Sequence, residues 1–234
     1  MVRVLACALL LSAAALPGSV AAGGNAAPLL PPGVPPADLA RIETVLAQAT
    51  VSTRVEIAAY PLRVAVFDYL LDHPEFATQV TRTLKLARYR IWRTADSLNL
   101  DDGWGVTGLI TAFHGGGGLR VVYGRGRFEQ SVLPDISGQT VILLHYADGP
   151  GPGGRPALAT SIEVFAQLDS AMLRNFAGPI AKSKATSEGL HVLKVFSRLA
   201  VHLERRADEV LAELERRPEI SRPELDGFRK VLGR

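Results

Sequence analysis

Residues 158–169, LATSIEVFAQLD, contain the clearest strand pattern in the chain. Polar and apolar side chains alternate along it, with Ile162 and Val164 on one face and Glu163 on the other. A period of two is typical of a strand with one buried and one solvated face. Asp169 follows at once and is a favourable N-cap, so the sequence predicts a helix directly after this strand.

Four more strands are predicted between residue 86 and this stretch, because turn signals recur there at hairpin-like intervals. These strands lie near Tyr89 and Ile91 and at 104–113, 119–129 and 139–147. The turns are Asp101-Asp102-Gly103, the glycine tract 115–118, the loop 134–138 and the Gly/Pro tract 149–156. Five consecutive strands without helices between them imply an antiparallel meander in an α+β fold.

The chain after Asp169 is predicted to be helical. A first helix runs to about Ile180 and is interrupted at Gly178-Pro179, and a long helix follows at 187–216 with a single apolar stripe. A helix of this length spans roughly 40 Å, which is enough to cross a whole sheet. A final short segment is predicted near 222–232.

Before the meander, the sequence predicts a helix, a strand and two further helices. Asp38 is the predicted N-cap of the first helix, and alternation over 51–59 predicts a half-buried strand. The run 61–80 is divided at Pro74, since proline is tolerated at the start of a helix and not in its interior.

The N-terminus has the pattern of a secretory signal peptide. Arg3 supplies a positive charge, 4–16 are apolar, and small residues precede a cleavage site after Ala22. The apolar run is shorter than the roughly 20 residues that a membrane span needs. Cleavage would also remove Cys7, which leaves no cysteine for disulfides, thiol catalysis or zinc binding. We therefore expect a periplasmic or secreted protein.

The domain organisation follows from these features. Residues 1–22 are the signal peptide, 23–36 a Gly/Pro-rich linker, and 37–234 a single domain. The formal charge of +3 is spread over interspersed acids and bases, without the basic stripe that nucleic-acid binding requires. The charged series 204–217 is interpreted as a solvated helix face, with transient contact to a membrane surface as the alternative.

Three segments resemble the helix-grip fold of the START-like (SRPBCC) superfamily, which includes polyketide cyclases and lipid-transfer domains. They are VFDYLLDHPEF at 66–76, DDGW at 101–104 and VFAQLD at 164–169, within a similar region of about 51–216. The resemblance implies an antiparallel sheet curled around the long C-terminal helix, with a cavity between them for a hydrophobic molecule. Catalytic residues are not shared across this superfamily, so none is predicted.

Candidate ligand-binding residues follow from the expected cavity. The apolar-face candidates are Tyr89, Ile91, Ile162, Val164, Phe196 and Leu199, for which ordinary core packing is the alternative. Arg125 and Arg127 share one strand face and either are solvated or bind a carboxylate or phosphate headgroup. His145 is the remaining candidate.

Two patterns of reactive residues also have structural interpretations. His114 with glycines 115–118 is similar to the oxyanion loop of lipases, but the chain has no G-x-S-x-G, so a hairpin turn is favoured. Of the five histidines, His191 and His202 share a helix face and lie some 16 Å apart along it, too far for one metal ion. Neither a metal site nor a cofactor is predicted.

The predicted function is that of an exported binding protein for an apolar or amphiphilic molecule such as a lipid. One alternative is a cyclase- or hydrolase-type enzyme that uses the same cavity, with His145 or the two arginines acting on substrate. Another is a structural envelope protein with a filled core.

Overall fold

The computed structural model describes residues 30, 34–94, 97–115, 117–129, 135–151, 156–169 and 171–234, with the side chains of 113–115 and 171–177 excepted. The helices are α1 (Pro36–Ala47), α2 (Val64–Asp72), α3 (Pro74–Thr83), α4 (Ala171–Glu215) and α5 (Arg222–Leu232). The strands are β1 (Val51–Tyr60), β2 (Arg90–Arg93), β3 (Leu98–Asp101), β4 (Val106–Gly115), β5 (Leu119–Phe128), β6 (Ile136–Pro150) and β7 (Pro156–Leu168). The predicted signal peptide and most of the predicted linker lie outside the described residues.

Seven antiparallel strands form one sheet in the order β1-β7-β6-β5-β4-β3-β2. The chain runs as a meander from β2 to β7, and β1 adds to the far side of β7. Together with the long C-terminal helix, this arrangement confirms the prediction of an α+β fold with a helix-grip layout.

The sheet has one strand more than predicted. The single strand expected near Tyr89 and Ile91 is a hairpin of β2 and β3, with Arg90 opposite Asp101. The Asn99 side chain donates to the Trp92 carbonyl at 3.4 Å across this hairpin. Both strands have only four residues, too short for alternation to distinguish them from a loop in the sequence.

The inner face of the sheet packs against α4. Leu193 and Leu199 of that helix are fully buried and join Val55 of β1 and Ile162 of β7 in the main hydrophobic core. Gly189 permits a close approach between helix and sheet, since a Cβ there would lie 2.8 Å from Val55 Cγ2. The apolar stripe of the sequence therefore marks the packed side of α4 correctly.

Three shorter helices complete this core. Phe67 of α2 and Phe76 of α3 are buried in it, and Phe228 of α5 packs edge-on against Phe76 with ring centroids 5.2 Å apart. The predicted C-terminal segment is therefore a helix that packs back onto the domain.

Part of the outer face is covered by α1, whose Ile42 and Val45 pack against Val121 and Leu143. The prediction that Asp38 caps this helix is wrong, because the helix already begins at Pro36. Proline suits a first helical position, where its fixed φ is helical and its missing N–H has no partner to lose.

The predicted break at Gly178-Pro179 is also wrong, because α4 continues through both residues. Proline removes one backbone donor, and the neighbouring turns of a long helix can hold the segment together. The departure from helical geometry occurs instead at Arg206, with φ −152° and ψ 48°.

Candidate functional site

An open groove of about 610 Å³ lies between the end of α3, the β3–β4 turn and α4. Its lining residues are Arg82, Lys85, Leu86, Ala87, Arg88, Trp104 and His191. This set contains three permanent cations and no carboxylate. The groove is therefore suited to a group that carries negative charge.

Lys85 is held in an unusual backbone conformation at one wall of the groove. Its φ is +56°, the only positive value at a non-glycine residue in the described chain. Its N–H donates to the Arg82 carbonyl and that of Leu86 donates to the Thr81 carbonyl, the bonding of a Schellman helix end. Glycine is the usual residue at this position, and a lysine there costs on the order of 1 kcal/mol. In this conformation, Lys85 contributes an ammonium group to the lining of the groove.

Aromatic rings form the opposite wall. The indole of Trp104 is 44% exposed, and the His191 ring stands edge-on to it with centroids 5.2 Å apart. Tyr89 lies behind both rings, 5.6 Å from His191. The Arg88 guanidinium lies 5.9 Å from the centre of the Trp104 ring. A flat or apolar part of a ligand could thus stack beside bound charge.

Nε2 of His191 is buried and lacks a hydrogen-bond partner in the described protein. A buried polar atom without a partner costs roughly 1–3 kcal/mol, and a ligand that bonds to it would recover this cost. Its position on the groove makes it a candidate to bond a ligand atom after a small movement of the ring.

The turn that carries Trp104 is fixed by a buried carboxylate. The Asp102 side chain is only 3% exposed, and its Oδ1 accepts bonds from the backbone N–H of Trp104 at 2.7 Å and of Val106 at 2.9 Å. Its Oδ2 accepts a bond from Lys184 Nζ of α4 at 3.1 Å. The predicted Asp-Asp-Gly turn is present, and the second aspartate also ties it to the long helix.

Lys184 extends this network towards the aromatic wall. Its Nζ donates to Glu188 at 2.9 Å, and the other Glu188 oxygen accepts a bond from the Tyr89 hydroxyl at 2.8 Å. Burial and the neighbouring Glu188 carboxylate both raise the pKa of Tyr89. Burial would lower the pKa of Lys184, but hydrogen bonds to Glu188 and Asp102 outweigh it and raise the pKa. At neutral pH the network is therefore charged at Lys184 and neutral at Tyr89.

The predicted site residues do not converge on one cavity. Ile162, Val164 and Leu199 are buried in the core between α4 and the sheet, and the Phe196 ring packs edge-on against Phe67 at 4.9 Å. These contacts agree with the core-packing alternative weighed for each of them.

The other candidates are distributed over the surface. Tyr89 stands at the back of the groove, and Ile91 lines a smaller depression of about 150 Å³ beside it. Arg125, Arg127 and His145 lie on the outer face, away from α4. His145 is 3.9 Å from Glu163, while Arg127 pairs with Glu129 and Asp135.

Most of the groove was not predicted from the sequence. Arg82, Lys85 and Arg88 are spaced at three-residue intervals between the predicted helices of 61–80 and the predicted strand near Tyr89 and Ile91. Trp104 belongs to the DDGW motif, which was recognised as a turn, and His191 was considered only as a metal ligand. The sequence signal that could have indicated the groove is this cluster of three cations, followed by a tryptophan in a predicted turn.

A second buried polar cluster lies under α2. Arg120 is 4% exposed on the inner face of β5, with Nη1 bonded to Asp72 at 2.7 Å and Nη2 3.6 Å from Asp68. Tyr146 donates to Asp68, and burial together with that bond raises the pKa of Tyr146 to about 12. The two carboxylates balance the buried guanidinium, which indicates a structural role.

No protein-family model, curated protein or solved structure matches the chain. Membership of the START-like superfamily therefore stays a prediction. Within the described residues, no helix is long and apolar enough to cross a membrane, and no group of His, Cys, Asp and Glu side chains is arranged to hold a metal ion.

Proposed function

We propose that the protein is an exported binding protein for an amphiphilic anion, and that the groove beside α3 holds the ligand's charged group. The observation that carries this proposal is the set of three cations, Arg82, Lys85 and Arg88, around an open groove. None of them forms an ion pair in the described structure, so their charge is available to a ligand.

The chemistry of the groove selects a carboxylate or phosphate group. Arg82 and Arg88 can each donate two parallel bonds to such an oxyanion, and Lys85 adds a point charge. Trp104 and Leu86 supply apolar surface for a chain or ring attached to it. A ligand that carries both an oxyanion and an apolar chain or ring would contact the cationic and the apolar side chains of the groove together.

The placement of the ligand differs from the one that the family resemblance implies. Ile162, Val164 and Leu199 are packed in the core, so we assign the ligand to the groove at the side of α4 and not to the space under it. The ligand is still amphiphilic and the fold is still of helix-grip layout, but the binding surface is the groove and not the space between the sheet and α4.

Export rests on the N-terminal pattern. Arg3, the apolar run 4–16 and the small residues before Gly23 support secretion by the general route. N-terminal sequencing of the protein recovered outside the cytoplasm is expected to begin near Gly23. Recovery of a chain that begins at Met1 would contradict cleavage.

The binding proposal is tested by isothermal titration with three amphiphiles of equal chain length: dodecanoate, dodecyl phosphate and dodecyltrimethylammonium. We expect both anions to bind at one site and the cation not to bind. Arg82→Gln combined with Arg88→Gln should weaken anion binding at least about tenfold, since each desolvated charge-assisted bond contributes about 1.5–3 kcal/mol.

The matched control combines Lys194→Gln with Arg198→Gln. These residues are also exposed cations without ion pairs in the described chain, and they lie on α4 outside the groove. Equal binding of anions and cation would contradict the proposal. Absence of binding to any of the three would favour a structural protein, and equal loss in the control would remove the groove from the proposal.

A further inference from the structure

The outer face of the sheet is covered unevenly. Helix α1 packs over β5, β6 and β7 through Ile42 and Val45, whereas no helix packs on β3 or β4 in the described chain, and the edge strand β2 contacts only α3. Among the described residues, two of the three large apolar side chains with high exposure lie on β2 and β4, Trp92 at 43% and Leu109 at 50%.

The register of the strands brings these two side chains into one row. Trp92 is opposite Asn99, which is opposite Leu109, which in turn is opposite Arg125. Neighbouring strands are about 4.8 Å apart, so the indole and the leucine side chain are separated by about 10 Å. The row therefore presents two apolar side chains and a guanidinium in a single plane.

Two arginines flank the apolar pair. Arg90 lies on the same face, with its guanidinium 5.8 Å from the centre of the Trp92 ring, and Arg125 is exposed next to Leu109. Neither forms an ion pair within the part of the chain that the structure describes. The nearest carboxylate in register is that of Asp101, opposite Arg90, and its Oδ1 accepts a bond from the Gly103 N–H. Both guanidinium groups are thus available to an outside anion.

We propose that this row of Arg90, Trp92, Leu109 and Arg125, the outer row, docks the protein on an anionic lipid bilayer. Indole rings favour the headgroup region of a bilayer, a leucine side chain enters the acyl boundary, and arginines bind lipid phosphates. The outer row therefore provides side chains for all three contacts. A partner protein that bound through an apolar surface would offer the two arginines no counter-charge. A second copy of the same face would bring like charges together.

This docking goes beyond the proposed ligand groove and does not depend on it. Arg90 and Trp92 also line the small depression next to Arg82, which is shared with the groove. A bilayer bound at the outer row would therefore lie beside the groove.

The test uses the two tryptophans of the chain as local probes. The full chain is mixed with phosphatidylcholine vesicles that contain either no anionic lipid or about one third phosphatidylglycerol. We expect a shift of tryptophan emission to shorter wavelength with the anionic vesicles only. Trp92→Phe should abolish the shift, and Trp104→Phe should retain it. Residues 1–33 contain no tryptophan, so an apolar N-terminus does not produce this signal.

Sedimentation with the same vesicles separates charge from apolar insertion. Arg90→Gln with Arg125→Gln should reduce binding about tenfold, whereas Lys194→Gln with Arg198→Gln should leave it unchanged. Leu109→Ser should weaken binding without changing its dependence on salt. Circular dichroism and thermal unfolding establish that each variant is folded.

Three results of the vesicle experiments would overturn the proposal. They are equal binding to vesicles with and without phosphatidylglycerol, retention of the emission shift in Trp92→Phe, and equal loss in the α4 control. Concentration-dependent self-association without vesicles, abolished by the outer-row variants, would assign the row to a contact between copies of the chain and would also overturn it.

Discussion

Helix α4 contributes to two regions of opposite character. One side inserts Leu193 and Leu199 into a core closed by β1 and β7, where both side chains are fully buried. The other side carries His191, which lines the groove, and Lys184 and Glu188, which bond to the Asp102 carboxylate and the Tyr89 hydroxyl behind it. The groove departs from local preference at Lys85, which has a positive φ, and at Nε2 of His191, which has no hydrogen-bond partner in the described protein. Such local violations are expected where binding, and not stability, determines the residues.

The largest expected effect is on the core side. Leu199→Ala should lower the free energy of unfolding by about 2–5 kcal/mol, because it removes a fully buried side chain and leaves a cavity. Anion affinity per folded molecule should not change, since Leu199 is remote from the groove lining. Denaturant unfolding and titration calorimetry measure the two quantities. A parallel loss of affinity would mean that core and groove are not independent.

The next effect concerns the carboxylate that joins the two sides. Asp102→Asn should lower the free energy of unfolding by about 1–3 kcal/mol, because Lys184 loses a partner in a largely buried place. The amide oxygen can still accept the backbone bonds of the turn, so Trp104 should stay in position. Comparison with Asp101→Asn, on the half-buried neighbour in the same turn, provides the control. Similar losses in the two variants would contradict a special role for Asp102.

Alkaline pH should weaken the same network. Folding raises the pKa of Tyr89 and of Lys184, so the folded protein holds both protons more tightly than the unfolded chain. The stability they contribute is complete below the unfolded pKa of about 10 and declines as pH rises above it. We expect the free energy of unfolding to fall progressively as pH rises above that value. Urea unfolding between about pH 8 and about pH 11 should show a smaller decline in Tyr89→Phe; an unchanged profile would exclude Tyr89 as a source.

The sequence was sufficient for the parts of the fold that repeat a simple period. Alternation in β7 and the apolar stripe of α4 predicted which faces are buried, because burial of many side chains outweighs any single exception. Prediction from the sequence failed where a single residue adopts a backbone conformation that its type usually avoids. Pro179 lies inside a helix and Lys85 in a left-handed conformation, and neither choice can be recognised without the surrounding contacts.

The candidate site was harder to predict because its residues come from separate elements. Arg82 and Lys85 end one helix, Trp104 follows a strand turn, and His191 lies on another helix. Their convergence depends on the hairpin of β2 and β3, the strand pair that alternation did not resolve. The apolar candidates Ile162 and Val164 were placed on the correct face but lie in filled core.

The smallest expected effect separates the two regions most directly. Lys85→Gly should raise the free energy of unfolding by about 0.5–1 kcal/mol, because glycine adopts a positive φ at a Schellman helix end without steric strain. The same change removes one of the three groove cations and should weaken dodecyl phosphate binding several-fold. Lys194→Gly, in the interior of α4 and outside the groove, should do the reverse, with a loss of about 1 kcal/mol of stability and unchanged binding. Stability and affinity would then move in opposite directions at Lys85, as expected if the strain is retained for the charge. If Lys85→Gly gains stability and keeps its full affinity for the anion, the ammonium group has no part in binding and the groove must be assigned without it.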